Sequence, residues 1–181
     1  MKAFEWEFVD ESTDRERMQP GGYVVVITDA EDNAQREYIE LIYDIAEGPR
    51  KGYYSDDFGR NNPWAHHFFR SYKPTALPMF KTFLKRLEES NDGFTIQVWQ
   101  QTSDEKAFIG LEVGIILQEE EYEGNDGSVK TRLNVARIVS ADTIRRGDFT
   151  VPEPKKLERA EKVYGGSGSN DTYSDLPFTF N

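Results

Sequence analysis

The sequence predicts a mainly β fold with one helical insertion, and three observations carry that reading. Apolar residues recur at period two in several separate stretches, among them Arg36 to Ile45 and Val129 to Val139. A helical period interrupts them between Asn62 and Glu89. Asn125-Asp126-Gly127 then sits between two alternating runs, the strongest hairpin signal in the chain. Strand, strand, short strand, helices and then strands that include a long hairpin is an order compatible with an OB-like five-stranded β-barrel, and one that many α+β domains share. That fold usually carries its helix between the third and fourth strands.

Each element has a local cause. Phe4, Trp6 and Phe8 alternate with acids and suit a short half-buried strand. Pro20-Gly21-Gly22 is a turn. Tyr23 to Thr28 is β-branched and apolar, as a buried strand requires. Asp29 to Asn33 turns the chain. In the next strand Ile39, Leu41, Tyr43 and Ile45 share one face, with Tyr38, Glu40, Ile42 and Asp44 on the other. Gly48-Pro49 ends it, and Lys51 to Phe58 is read as a short third strand.

The period then changes. Asn62-Pro63 makes an N-cap and first helical position, followed by Trp64, Phe68 and Tyr72 at helical spacing and closed by Pro74. A second helix runs from about Thr75 to Glu89 with Leu77, Phe80, Leu84 and Leu87 as its apolar stripe. Phe94 to Trp99 alternates again and reads as a strand, with Thr95, Gln97 and Trp99 on one face. Phe108 to Leu117 is apolar, and Gly110 and Gly114 within it mark bulges or close approach. The hairpin returns through Val129 to Val139, and Ala141 to Gly147 is one helical turn. From Thr150 charge and glycine take over, so 1–150 is read as the folded domain and 151–181 as a flexible linker and C-terminal tip.

The composition bounds the function. A chain of 181 residues suffices for one domain plus a tail. The absence of cysteine excludes disulfides and thiolate metal sites and fits a reducing cytosol. Neither a signal-peptide core nor a membrane-length apolar run is present, so a cytoplasmic protein without a membrane partner is expected. The net charge of −11 argues against nucleic acid when taken globally. Its distribution reverses that argument. Residues 49–86 hold 8 basic and 2 acidic side chains, whereas 1–48 hold 4 and 13, and 87–150 hold 6 and 13.

The basic block also holds nine aromatics among its 38 residues. Single-strand binding needs this mixture: cations for phosphates, and flat rings for unpaired bases, worth about 1–3 kcal/mol per stacked base. Lys51, Tyr53, Tyr54, Arg60, Trp64, Arg70, Tyr72 and Lys73 are the candidates within it. Tyr53, Tyr54 and Tyr72 have polar neighbours and are expected to be exposed; Phe80 and Phe83 are expected in the core. Trp99 on a polar strand face would expose its indole unless a base, a helix or a subunit covers it. Lys130 and Arg132 could flank such a groove, or lie on a solvated hairpin face.

Enzyme signals are poor. His66 and His67 are adjacent and do not chelate as an i, i+4 pair would. No nucleophilic cysteine, phosphate loop or dinucleotide fingerprint occurs. Glu119-Glu120-Glu121 is read as a solvated strand end rather than a metal site. Neither a cofactor nor catalysis is expected.

In the tail, Gly165-Gly166-Ser167-Gly168-Ser169 leads to Asp175-Leu176-Pro177-Phe178, a charge and two apolar side chains on a proline-stiffened hook. It resembles the C-terminal tips with which bacterial and phage single-strand-DNA-binding proteins recruit replication and repair enzymes. Thr179-Phe180-Asn181 follow Phe178, so this Phe lacks the terminal carboxylate of those tips.

Further stretches carry a wider resemblance. Tyr38-Ile39-Glu40-Leu41-Ile42-Tyr43-Asp44-Ile45-Ala46-Glu47-Gly48, Arg70-Ser71-Tyr72-Lys73, Ser90-Asn91-Asp92-Gly93-Phe94, Gly110-Leu111-Glu112-Val113-Gly114, Glu119-Glu120-Glu121-Tyr122 and Lys130-Thr131-Arg132-Leu133 look like a group of small phage proteins of Gram-positive hosts. That group was formerly a domain of unknown function, found in replication and recombination modules and described as similar to single-strand-DNA-binding proteins. The resemblance spans residues 20–150 and implies a protein that coats single-stranded DNA in the bacterial cytoplasm and recruits partner enzymes through its tail. It leaves homo-oligomerisation open. The alternative is an acidic phage factor that binds a DNA-processing enzyme without binding DNA.

Overall fold

The computed structural model of the chain describes residues 17–55 and 63–157, apart from the side chains of Pro63 and Trp64. Five strands form one antiparallel sheet: β1 (Gly21–Asn33), β2 (Tyr38–Ile45), β3 (His67–Ser71), β4 (Glu112–Glu123) and β5 (Val129–Val139). Their order is β3-β2-β1-β4-β5. β1 is the hub. Its first half pairs with β4 (Gly21↔Leu117 to Val26↔Glu112), and its second half with β2 (Val25↔Ile45 to Asn33↔Tyr38). A register shift between Ile27 and Asp29 bends the strand between those duties. β3 and β5 are the sheet edges, so among the described residues the sheet is open rather than a closed barrel.

Period-two burial builds the core. Val25, Ile27, Leu41, Tyr43, Val113, Ile115 and Leu117 are buried on the inner side, with Phe68 of β3 beside Leu41. Helix α1 (Leu77–Ser90) lies across them and inserts Phe80, Phe83, Leu84 and Leu87. Burying such a side chain contributes roughly 1.5–3 kcal/mol. Phe80 and Phe83 are buried as expected, whereas Leu77, expected in the apolar stripe, is 49% exposed at the first helical residue. On the other face, α3 (Ala141–Arg145), capped by the Ser140 hydroxyl accepting from the Thr143 amide, packs over Gly114.

Several sequence expectations fail for local reasons, among them the turn at Pro20-Gly21-Gly22, where β1 already begins at Gly21. Asp29 to Asn33 continues β1 instead of turning. The third strand is His67–Ser71, not Lys51 to Phe58. Residues 51–55 form turns, and 56–58 lie outside the described residues, as do Phe4, Trp6 and Phe8. The helical spacing of Phe68 and Tyr72 misled because β2 offers a free edge to a segment whose Phe68 and Arg70 also alternate at period two. The expected strand Phe94 to Trp99 is instead α2 (Ile96–Thr102), because the Thr95 hydroxyl accepts from the Val98 amide and caps a helix.

The chain does not leave the body at residue 150. Lys155 bridges β4 beside Glu120, its amide donating to the Glu119 carbonyl and its carbonyl accepting from the Glu121 amide, each at 2.8 Å. The Gln118 amide group also donates to the Glu153 carbonyl. This strap lies where β4 runs on past the end of β1.

Candidate nucleic-acid interface

A cleft of about 630 Å³ opens between β5, the far end of β4, residues 17–20 and the turn carrying Tyr53 and Tyr54. Its walls bring together Arg17, Tyr53, Tyr54, Tyr122, Arg132 and Leu133.

The tyrosine wall is built from β2. Asp44 is buried, although period two assigns it to the polar face. Its Oδ1 accepts from the Ile45 amide at 2.7 Å and the Tyr54 amide at 2.9 Å, and its Oδ2 from the Ser55 amide at 3.0 Å. One carboxylate thus folds the turn back onto the sheet. Tyr54 then packs edge-on against Tyr43, 5.7 Å between ring centroids, and stacks with His66 at 4.9 Å. Tyr53 is perpendicular to Tyr54 at 5.0 Å, and its hydroxyl accepts from the Met18 amide. Burial pushes the Tyr54 hydroxyl up to about 12. It also lowers the pKa of His66, where the neighbouring His67 adds to the effect.

The opposite wall is the hairpin. The register sets Glu120 opposite Arg132 and Tyr122 opposite Lys130. Arg132 therefore reaches diagonally over the Tyr122 ring, 5.2 Å from its centroid. Its Nη2 and Nε donate to Glu120 Oε2 at 2.9 and 3.1 Å. Lys155 and Arg132 together hold the Glu120 carboxyl below its usual range.

The predicted residues divide accordingly. Tyr53, Tyr54 and Arg132 meet in the cleft, and exposed Lys51 stands two residues before Tyr53. Tyr53 and Tyr54 are only 7% and 6% exposed, so the expectation of exposed rings is corrected: Arg50 lies over the Tyr53 ring, 5.8 Å from its centroid, and His66 stacks on Tyr54. Arg70 turns inward over Phe68 and Phe83, at 5.2 and 6.0 Å, and donates to the Phe69 carbonyl. Desolvation there lowers its pKa to about 10. It braces the core rather than lining the cleft.

Trp99 is corrected most. On α2 its indole stacks with Phe108 at 5.3 Å and its Nε1 donates to the Asp104 carbonyl, so protein covers the ring. Tyr72 bonds Asp32 at 2.8 Å and packs against Phe80, which also carries Trp99. The Asp32 bond raises the Tyr72 hydroxyl to about 12. Lys73 is exposed after β3, and Lys130 pairs with Asp126 at 3.2 Å in the hairpin. Arg60, the Trp64 side chain and the tip residues Asp175, Leu176, Pro177 and Phe178 lie outside the described residues.

Arg17 and Tyr122 are site residues that the sequence reading missed. Counting back from Asn125-Asp126-Gly127 would have set Tyr122 beside Arg132. Nothing local marks Arg17. Among the described residues no group of three or more His, Asp or Glu is placed to hold a metal, and no helix is long and apolar enough to cross a membrane. No protein-family model matches this chain, and no curated protein matches it in sequence.

Proposed function

We propose that this chain binds single-stranded DNA in the cleft between β5 and the Tyr53–Tyr54 turn. The observation that carries the reading is the Arg132–Tyr122 stack facing the tyrosine wall. A cation beside an aromatic rim is the local chemistry that an unpaired base and its phosphate need. The topology supports it: β3-β2-β1-β4-β5, with α1 between β3 and β4, is the order of an OB-like barrel opened along the β3–β5 seam, and OB folds bind oligonucleotides. Arg17 lines the cleft as a further cation, and exposed Lys51 stands two residues before Tyr53.

In this reading the protein is a phage-type replication or recombination factor in the bacterial cytoplasm. Its tip, Asp175 to Phe178, recruits partner enzymes. The test is anisotropy of labelled oligothymidine at low salt. Wild type should bind; Y122A should weaken binding at least fivefold, since a stacked base contributes about 1–3 kcal/mol. With Arg17, Lys51 and Arg132 as phosphate contacts, log affinity should fall against log salt with a slope of about −2. No binding at low salt would end this reading.

One observation favours a second reading. On the outward face of β1–β2–β3, Glu31 lies directly opposite Glu40, and Glu40 opposite Phe69, which is 47% exposed. Like charges set opposite each other destabilise a sheet unless a cation serves them. His67 serves Glu40 at 2.6 Å, and a basic protein partner could serve Glu31. An acidic interaction protein predicts a complex with such a partner and no affinity for oligothymidine.

A further inference from the structure

The best hydrogen-bonded cation in the cleft is already engaged. Arg132 gives two donors to one oxygen of Glu120, and Asn134 approaches the same oxygen at 3.4 Å. The other oxygen, Oε1, accepts from Lys155 Nζ at 2.9 Å. Glu120 is little exposed, 13% at the side chain, while Arg132 and Lys155 are 57% and 68% exposed. The carboxylate is therefore the enclosed member, and both cations reach it from the solvent side. A carboxylate and a phosphate present the same acceptor geometry to a guanidinium, so the two compete for it.

The strap makes this competitor a built feature rather than an incidental surface pair. Lys155 is held on β4 by two backbone bonds that flank Glu120, and the Leu157 amide donates to Glu121 Oε2 at 3.1 Å. With Oε1 anchored by the strap, Oε2 is aimed at the hairpin.

We propose that Glu120 is an internal phosphate mimic: it occupies Arg132 in the free protein, and a DNA phosphate must displace it. The strap residue Lys155 holds Glu120 in that position. This rests on the DNA-binding reading above and adds a regulatory element to the same site. It also gives a physical route by which anything that pulls on residues 153–157 would alter the availability of Arg132.

The experiment compares wild type, E120Q and E123Q in the oligothymidine titration over a salt series. Glu123 is exposed at the end of the same strand and does not line the cleft, so E123Q removes the same charge without freeing Arg132. E120Q should tighten binding about five- to tenfold while the log–log salt slope stays near about −2, because Arg132 contacts phosphate in both bound states. E123Q should change affinity less than twofold. Equal effects of the two variants would reduce Glu120 to general charge and overturn the proposal, as would weaker binding by E120Q. Absence of binding by all three proteins would instead remove the DNA reading, and this proposal with it. A thermal melt of each variant confirms that the folds being compared are intact.

Discussion

The Asp44 carboxylate accepts the Tyr54 amide at 2.9 Å, ten residues along the chain and across a turn. With the Ile45 and Ser55 amides it makes Asp44 the organiser of the tyrosine wall. Removing it leaves buried donors without an acceptor. D44A should lower stability by about 2–3 kcal/mol in urea unfolding, since an unsatisfied buried donor costs about 1–3 kcal/mol and the turn can recover part by relaxing. D44N keeps one carbonyl acceptor and should lose less.

Gly114 permits α3 to reach the sheet. A Cβ there would stand 2.7 Å from both Ile144 Cγ1 and the Ser140 carbonyl oxygen. Backbone cannot yield as a flexible side chain can. G114A should destabilise by about 1–3 kcal/mol through overpacking, measured by thermal or urea unfolding. A neutral G114A would show that α3 docks less tightly than described.

Much of this was legible in the sequence, for physical reasons that differ by residue. Ile39, Leu41, Tyr43 and Ile45 alternate on a strand with one buried face, and the structure buries all four. Asn125-Asp126-Gly127 fixes the hairpin by turn chemistry alone. The reading failed where a single side chain overrides a pattern. Thr95 caps a helix in an alternating stretch and carries Trp99 from a polar face into an aromatic cluster. Asp44 pulls Tyr53 and Tyr54 inward despite polar neighbours. The cleft itself joins residues far apart in sequence, Arg17 with Tyr53 and Arg132, and no local signal encodes that meeting.

Glu120 makes a prediction in acid. Its folded-state pKa is depressed, first by the Lys155 bond and then by Arg132. The ionised form is favoured by folding, so its stabilisation is complete above the unfolded value of 4.5 and disappears as pH falls through the lower folded value. Wild type should lose more stability than E120Q between about pH 5 and pH 3, by on the order of 1 kcal/mol or less for a pair whose cations are exposed. Equal losses would mean that Glu120 is not held as described.

The central claim is that single-stranded DNA enters the β5 seam beside Arg132 and Tyr122. Photo-crosslinking of iododeoxyuridine-substituted single strands, with the adducts mapped by mass spectrometry, tests position and binding together. The account predicts adducts on Tyr122, with Tyr53 or Tyr54, that disappear in excess unlabelled strand. Adducts confined to Trp99, Tyr72 or the Phe69 face, or none at low salt, would contradict it.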